Sequence, residues 1–358
     1  MICALILAMK PQFVVRRFAC CAAILLTFWC IAQGQQSSPT EAPKASTSTT
    51  APDFSNARKL VQQGKIDEGI AELQAIEARD PSAKGVSLEI GTAYYKKSDY
   101  SKAIEYLKKA IATDPGNDEA TQLLGLSYYL NGHPAEAIPL LERVQGWYSR
   151  ANVDAAYILG VSYIQLKNYD QARRSFGKMF DVPGDSAAAY LFTARMLFRQ
   201  DYDPIAEEYA RKAAALDPRL PLVHLLLGEL YIYKSRIPEA IAELQKELAI
   251  SPANAATYYK LADAYSRVQK YDEAERLLQR SIWLDATTTG PFILMGKVLE
   301  KKGEFELAIR SLQRAASMDP NNPTTHHLLG QAYRDMGRKE EAERELQLAE
   351  QLQSRGNN

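Results

Sequence analysis

The sequence predicts an all-α chain, a right-handed α-solenoid of about nine helix-turn-helix repeats, and three observations carry that expectation. One pattern recurs every 34 residues, starting at Thr50, Lys84, Asp118, Val153, Ala187, Pro221, Ala255, Thr289 and Pro323, with a single step of 35. Two positions in it are always small, and a proline closes most units. A fixed period of this length marks stacked supersecondary units, none of which buries enough surface to fold alone.

The eighth residue of each unit is glycine or alanine, from Ala57 and Gly91 to Gly330, and so is the twentieth, from Gly69 and Ala103 to Ala342. Antiparallel helices approach to about 8–10 Å only where the crossing residues have little side chain, so these two positions are read as the crossing. The eleventh is tyrosine in six units (Tyr94, Tyr128, Tyr163, Tyr231, Tyr265, Tyr333) and is expected to be buried beside it. The twenty-fourth is leucine or Phe176 in all but one unit, where it is Ala210, and supplies the second helix's share of core. Pro81, Pro115, Pro218, Pro252 and Pro320 stop the second helix, because proline lacks the N–H that would continue it. The pattern of small-8, Tyr-11, Ala-20 and Pro-32 resembles the tetratricopeptide repeat over about 300 residues. Departures are local: Gly69 stands for alanine in the first unit, and the extra residue enters around Gly146-Trp147-Tyr148-Ser149.

Ahead of the repeats, Lys10, Arg16 and Arg17 precede an apolar run from Phe18 to Ala32 and the small-x-small triplet Ala32-Gln33-Gly34. This order reads as a secretory signal peptide over residues 1–34, with Met9 a more usual start than Met1. The alternative is an uncleaved inner-membrane anchor formed by residues 18–32, although that run is shorter than the roughly 20 residues a spanning helix needs. Residues 35–49, rich in Ser, Thr and Pro, read as a flexible linker. The solenoid then occupies 50–353, and residues 354–358 are a polar tail.

Composition narrows the function. Lysine and arginine balance aspartate and glutamate at 43 each, so no basic field exists to attract nucleic acid. All four cysteines lie in the first 30 residues, and an exported remainder without cysteine has no disulfide, thiolate–zinc site or thiol nucleophile. The four histidines, His133, His224, His326 and His327, are read as ordinary surface residues, and no metal or cofactor is expected. There is no Gly-rich phosphate loop, no G-x-S-x-G elbow and no H-E-x-x-H helix, so the chain is read as non-catalytic. The alternative is a glycan- or peptide-binding carrier or hydrolase-like surface, with Glu229 and Asp263 as its paired carboxylates.

The resemblance implies a concave groove lined by positions 5, 9, 12 and 13 of each first helix. It places Tyr95, Leu126, Tyr129, Tyr157, Ile164, Phe198, Tyr233, Tyr259 and Arg267 there, with Val161, Leu191, Leu225 and Ile232 among their neighbours. Aromatic residues in such a groove suit an extended peptide or an amphipathic partner helix. The competing view makes these rings part of the wall between helices. The asparagine of the family's carboxylate clamp is missing at position 9. The expected function is therefore a protein–protein interaction scaffold of the bacterial envelope or secreted space, or a membrane-anchored adaptor if the leader is retained.

Overall fold

The computed structural model describes residues 53–147, 153–201 and 203–356, which form helices and, among the described residues, no strand. The leader and linker lie outside the described residues. The chain divides into two compact units, Met1–Gly184 and Asp185–Asn358. In the first, paired helices run α1 Ser55–Gln62 with α2 Ile66–Arg79, α3 Val86–Lys96 with α4 Tyr100–Thr113, α5 Asp118–Leu130 with α6 Pro134–Trp147, and α7 Val153–Gln165 with α8 Tyr169–Met179. In the second they run α9 Ala187–Phe198 with α10 Asp203–Leu216, α11 Val223–Tyr233 with α12 Ile237–Ile250, α13 Ala255–Arg267 with α14 Tyr271–Leu284, α15 Gly290–Lys301 with α16 Phe305–Met318, and α17 Pro323–Asp335 with α18 Lys339–Gly356. The last helix continues three residues past the expected boundary at 353, ending at Gly356.

Caps and turns explain why the helices stop where they do. Asn117, Asn254 and Asn322, the last residue of their units, and Ser186 at the same place, accept the backbone N–H three residues on and open the next first helix. Each first helix closes the same way: the fifteenth residue of all nine units is left-handed. Four of these are Gly64, Gly132, Gly303 and Gly337; the others, Ser98, Lys167, Asp201, Ser235 and Gln269, hold φ between 59° and 64°. The sixteenth N–H then reaches the eleventh carbonyl, as in Asn168 to Tyr163 at 2.8 Å and Arg236 to Tyr231 at 2.8 Å, which is a Schellman closure.

The crossing is tighter than the two small positions alone suggest, because the side chain over the eighth residue comes from the twenty-fourth. A Cβ on Gly228 or Gly296 would lie 2.5 Å from Leu244 or Leu312 Cγ, and one on Gly160 would fall against the ring of Phe176. Gly69 has its own cause, since a Cβ there would lie 2.6 Å from Val61 Cγ2.

Neighbouring hairpins are joined at the eleventh position. Tyr94, Tyr163, Tyr231 and Tyr333 are buried, while Tyr128 and Tyr265 are only half-buried, against expectation. Buried or half-buried, the tyrosine faces the twenty-fifth residue of the preceding unit. Gln74, Gln245 and Gln313 donate to the hydroxyls of Tyr94, Tyr265 and Tyr333 at 3.3, 3.2 and 2.9 Å, and Arg211 donates to Tyr231 at 3.1 Å. Tyr163 instead donates to Glu142, and burial together with that carboxylate holds its phenol well above its ordinary value. Over Tyr128 the twenty-fifth residue is Lys108, whose ammonium lies 5.4 Å from the ring centroid.

Candidate interaction surface

In the first unit the expected groove residues turn largely into wall. Ile164 has no exposed surface and Val161 is buried, so neither can touch a partner as expected; both are core. Tyr95 packs on the core of this unit and sets its ring edge against Tyr100 at 5.9 Å, and Tyr157 tilts over Phe176 at 6.4 Å. Leu126 and Tyr129 are half-buried. Ring area there is spent on closing the first helices onto their neighbours.

The second unit differs. Leu191, Leu225 and Ile232 are buried and leave the surface to other positions, again a correction. Phe198 at the end of α9 meets Tyr233 at the end of α11 edge-to-face, 5.8 Å between centroids, and Tyr233 remains 60% exposed. One hairpin on, Tyr259 lies flat enough on the start of α15 that a Cβ on Gly290 would sit 3.3 Å from its ring, and burial raises its phenol above the ordinary value. Between these rings runs a charge ladder. Glu229 on α11 takes Arg195 from α9 on one oxygen and Lys260 from α13 on the other at 3.3 Å. Arg267 pairs back to Asp263 at 3.2 Å.

This ladder counts against the paired-carboxylate reading. Burial pushes the Glu229 carboxyl up, but Arg195 and Lys260 more than offset it and hold the group below its ordinary value. A general acid needs the opposite shift, and Asp263 is engaged by Arg267 and not by Glu229. Of the expected residues, Phe198 and Tyr233 are brought into contact by successive first helices, and Tyr259 and Arg267 lie on the next one, α13.

Comparison with known proteins agrees with the hairpin pattern. Family models described as tetratricopeptide repeat match residues 54–118, 234–282 and 323–355, and one described as TPR repeat matches 296–337. A further model, of the anaphase-promoting complex, cyclosome, subunit 3, matches 96–179. The chain belongs to the tetratricopeptide repeat family. Among curated relatives of this TPR chain, Peroxisome biogenesis protein 5 of Arabidopsis thaliana is 27% identical over 156 residues, which is 43% of this chain and 21% of that protein. The chain therefore spans about a fifth of that relative's length. Similar solved structures include MamA, 23% identical over 46% of this chain and 96% of that one with a TM-score of 0.43. They also include YrrB, described as a TPR protein with an unusual peptide-binding site, at 22% identity over 51% and 94% with a TM-score of 0.43. The Cut9–Hcn1 assembly matches at 20% identity over 77% of this chain and 54% of that one, TM-score 0.45.

Away from the first-helix face, the TPR histidines depart from expectation. His224 and His326, both at the fourth position, are buried. His224 Nδ1 lies 2.5 Å from Glu243 Oε2 and its Nε2 3.1 Å from the Pro218 carbonyl; His326 repeats this with Glu345 at 2.6 Å and Pro320 at 2.9 Å. Tyr258 reaches the Pro252 carbonyl from the same position at 3.2 Å. In these three units the fourth residue is thus a latch onto the proline at the thirty-second position of the preceding unit, and its variety of residue types hid that role. An open cleft of about 620 Å³ lies between α10 and α12, lined by His224, Glu243, Ala214, Ala215, Ala249 and Ile250. Among the described residues no group of three or more His, Cys, Asp or Glu could hold a metal, and no helix is long and apolar enough to cross a membrane.

Proposed function

We propose that this chain is a non-catalytic scaffold that holds another polypeptide on the first-helix face of its second unit. The observation that carries this reading is the Phe198–Tyr233 edge at the ends of α9 and α11, because an exposed aromatic pinned by a second ring offers contact area at little entropic cost. The tetratricopeptide repeat family supports it. The occupant is an extended peptide or one amphipathic helix, and the leader at residues 1–34 directs the scaffold out of the cytoplasm into an envelope or secreted space. An adaptor anchored by residues 18–32 remains the competing location.

Affinity capture from the native cell envelope with the wild-type chain and with Tyr233→Ala tests the first part. A partner retained by the wild type and lost from the variant, at unchanged melting temperature, is the expected result; equal capture removes the face from consideration. Mass spectrometry of the native amino terminus tests the second. A first residue at Gln35 is expected, and an intact leader would leave the anchor.

A further inference from the structure

We infer that the same face selects its occupant by chemistry, accepting a segment in which apolar residues are separated by a short spacer from acidic ones. This rests on the reading of the face as a peptide surface and adds what the peptide must carry. The apolar end is Phe198 with Tyr233. Beyond it, on α13, α15 and α17, the cation of each ion pair stands further out than its carboxylate, which is recessed at Asp263 and Glu300. Arg267 is 48% exposed over Asp263 at 25%, Lys301 is 64% exposed over Glu300 at 15%, and Arg334 is 62% exposed beside Asp335 at 39%. Lys297, exposed on α15, adds a cation with no ion-pair partner among the described residues. The chain as a whole carries no net charge, so the positive edge is local.

An approaching carboxylate meets ammonium and guanidinium groups first, and exposed pairs of this kind are weak enough to exchange partners. Packed helices lie about 10 Å apart, so α11 and α15 are about 20 Å apart along the row. An extended chain covers that distance in roughly six residues. The match is therefore an aromatic or aliphatic anchor and a cluster of Asp or Glu about six residues away.

Fluorescence anisotropy of the full chain with labelled synthetic peptides tests this. The probe carries two phenylalanines, a six-residue Gly/Ser spacer and four glutamates; its counterpart has lysines in place of the glutamates. The glutamate peptide is expected to bind at least about tenfold tighter at low salt, an advantage that shrinks near 0.5 M salt. Tyr233→Ala is expected to weaken both peptides. Lys297→Glu combined with Lys301→Glu, at surface positions and with unchanged melting, is expected to weaken only the glutamate peptide. Equal affinity for the two peptides with sensitivity to Tyr233→Ala overturns the charge selection and leaves the peptide surface standing. No binding of either peptide, or binding indifferent to all three substitutions, overturns both. A single-stranded oligonucleotide that displaces the glutamate peptide and binds tighter than it would also overturn the inference.

Discussion

In unit after unit the eighth residue is glycine or alanine beneath a large side chain from the second helix, while the ninth, one peptide bond further and about 100° around, changes from arginine to threonine to leucine to glutamate. The eighth is fixed by a crossing that recurs identically. The ninth answers to what its local neighbours offer: buried as Val161, paired across hairpins as Glu229, exposed as Lys297. Period shows where the fold is held, and loss of period shows where the molecule is free to differ.

That contrast can be broken at the crossing. Gly160→Ala drives a methyl into the Phe176 ring and is expected to cost about 3 kcal/mol in urea denaturation, among the larger overpacking penalties. Adding Phe176→Leu restores the glycine-free pairing already present as Ala262 over Leu278 and is expected to recover more than half of the loss. If the double variant is as unstable as the single one, the twenty-fourth side chain is not what fixes the eighth.

A second test uses an exception. Glu247, fully buried at a position that is alanine or serine in other units of this half, accepts the Leu222 and Leu225 N–H groups at 2.8 and 3.3 Å and opens α11, which has no side-chain cap of its own. Glu247→Ala is expected to lose about 2 kcal/mol in the same assay, the scale of a charged acceptor removed from buried donors. Gln269→Gly works in the other direction. It relieves a left-handed non-glycine residue and is expected to gain about 0.5–1 kcal/mol after the extra freedom of the unfolded chain is counted.

Acid titration sharpens the ninth position. Because the Glu229 carboxyl is depressed in the folded state, its contribution is fully present above its ordinary value of 4.5 and is lost as pH falls through and below that value. Stability of the wild type is therefore expected to fall more steeply below pH 4.5 than that of Glu229→Gln; parallel curves would mean that the ladder contributes nothing. The smallest effect belongs to Lys297→Ala, expected within about 0.5 kcal/mol of wild type, as a surface change without a partner should be.

The hairpins and their core were legible because steric demands repeat: only a small residue fits under Leu244 or Phe176, so the letters repeat too. The junctions were not. A tyrosine hydroxyl can be met by Gln74, Arg211 or Glu142, and the Pro218 or Pro252 carbonyl by His224 or Tyr258, so unlike residues perform one task and leave no pattern of identity. The left-handed fifteenth residue was hidden for the same reason, since serine, lysine, aspartate and glutamine share it with glycine. On the candidate surface, position number separated Tyr233 from the core but could not do so for Ile164, whose burial depends on how closely its surroundings pack.

The links between neighbours also bear on how the chain comes to be folded. The phenol hydrogen bonds that join one hairpin to the next span only 20 residues in sequence, at Gln74–Tyr94, Arg211–Tyr231, Gln245–Tyr265 and Gln313–Tyr333. Contacts that close short loops form early, and a chain built from them folds quickly for its size. Within each compact unit, a hairpin can dock on the one before it as soon as it has been synthesised, without waiting for any distant segment. Growth of structure in step with translation, from the amino-terminal side onward, is therefore available to this chain in a way it is not to a sheet whose first and last strands must meet.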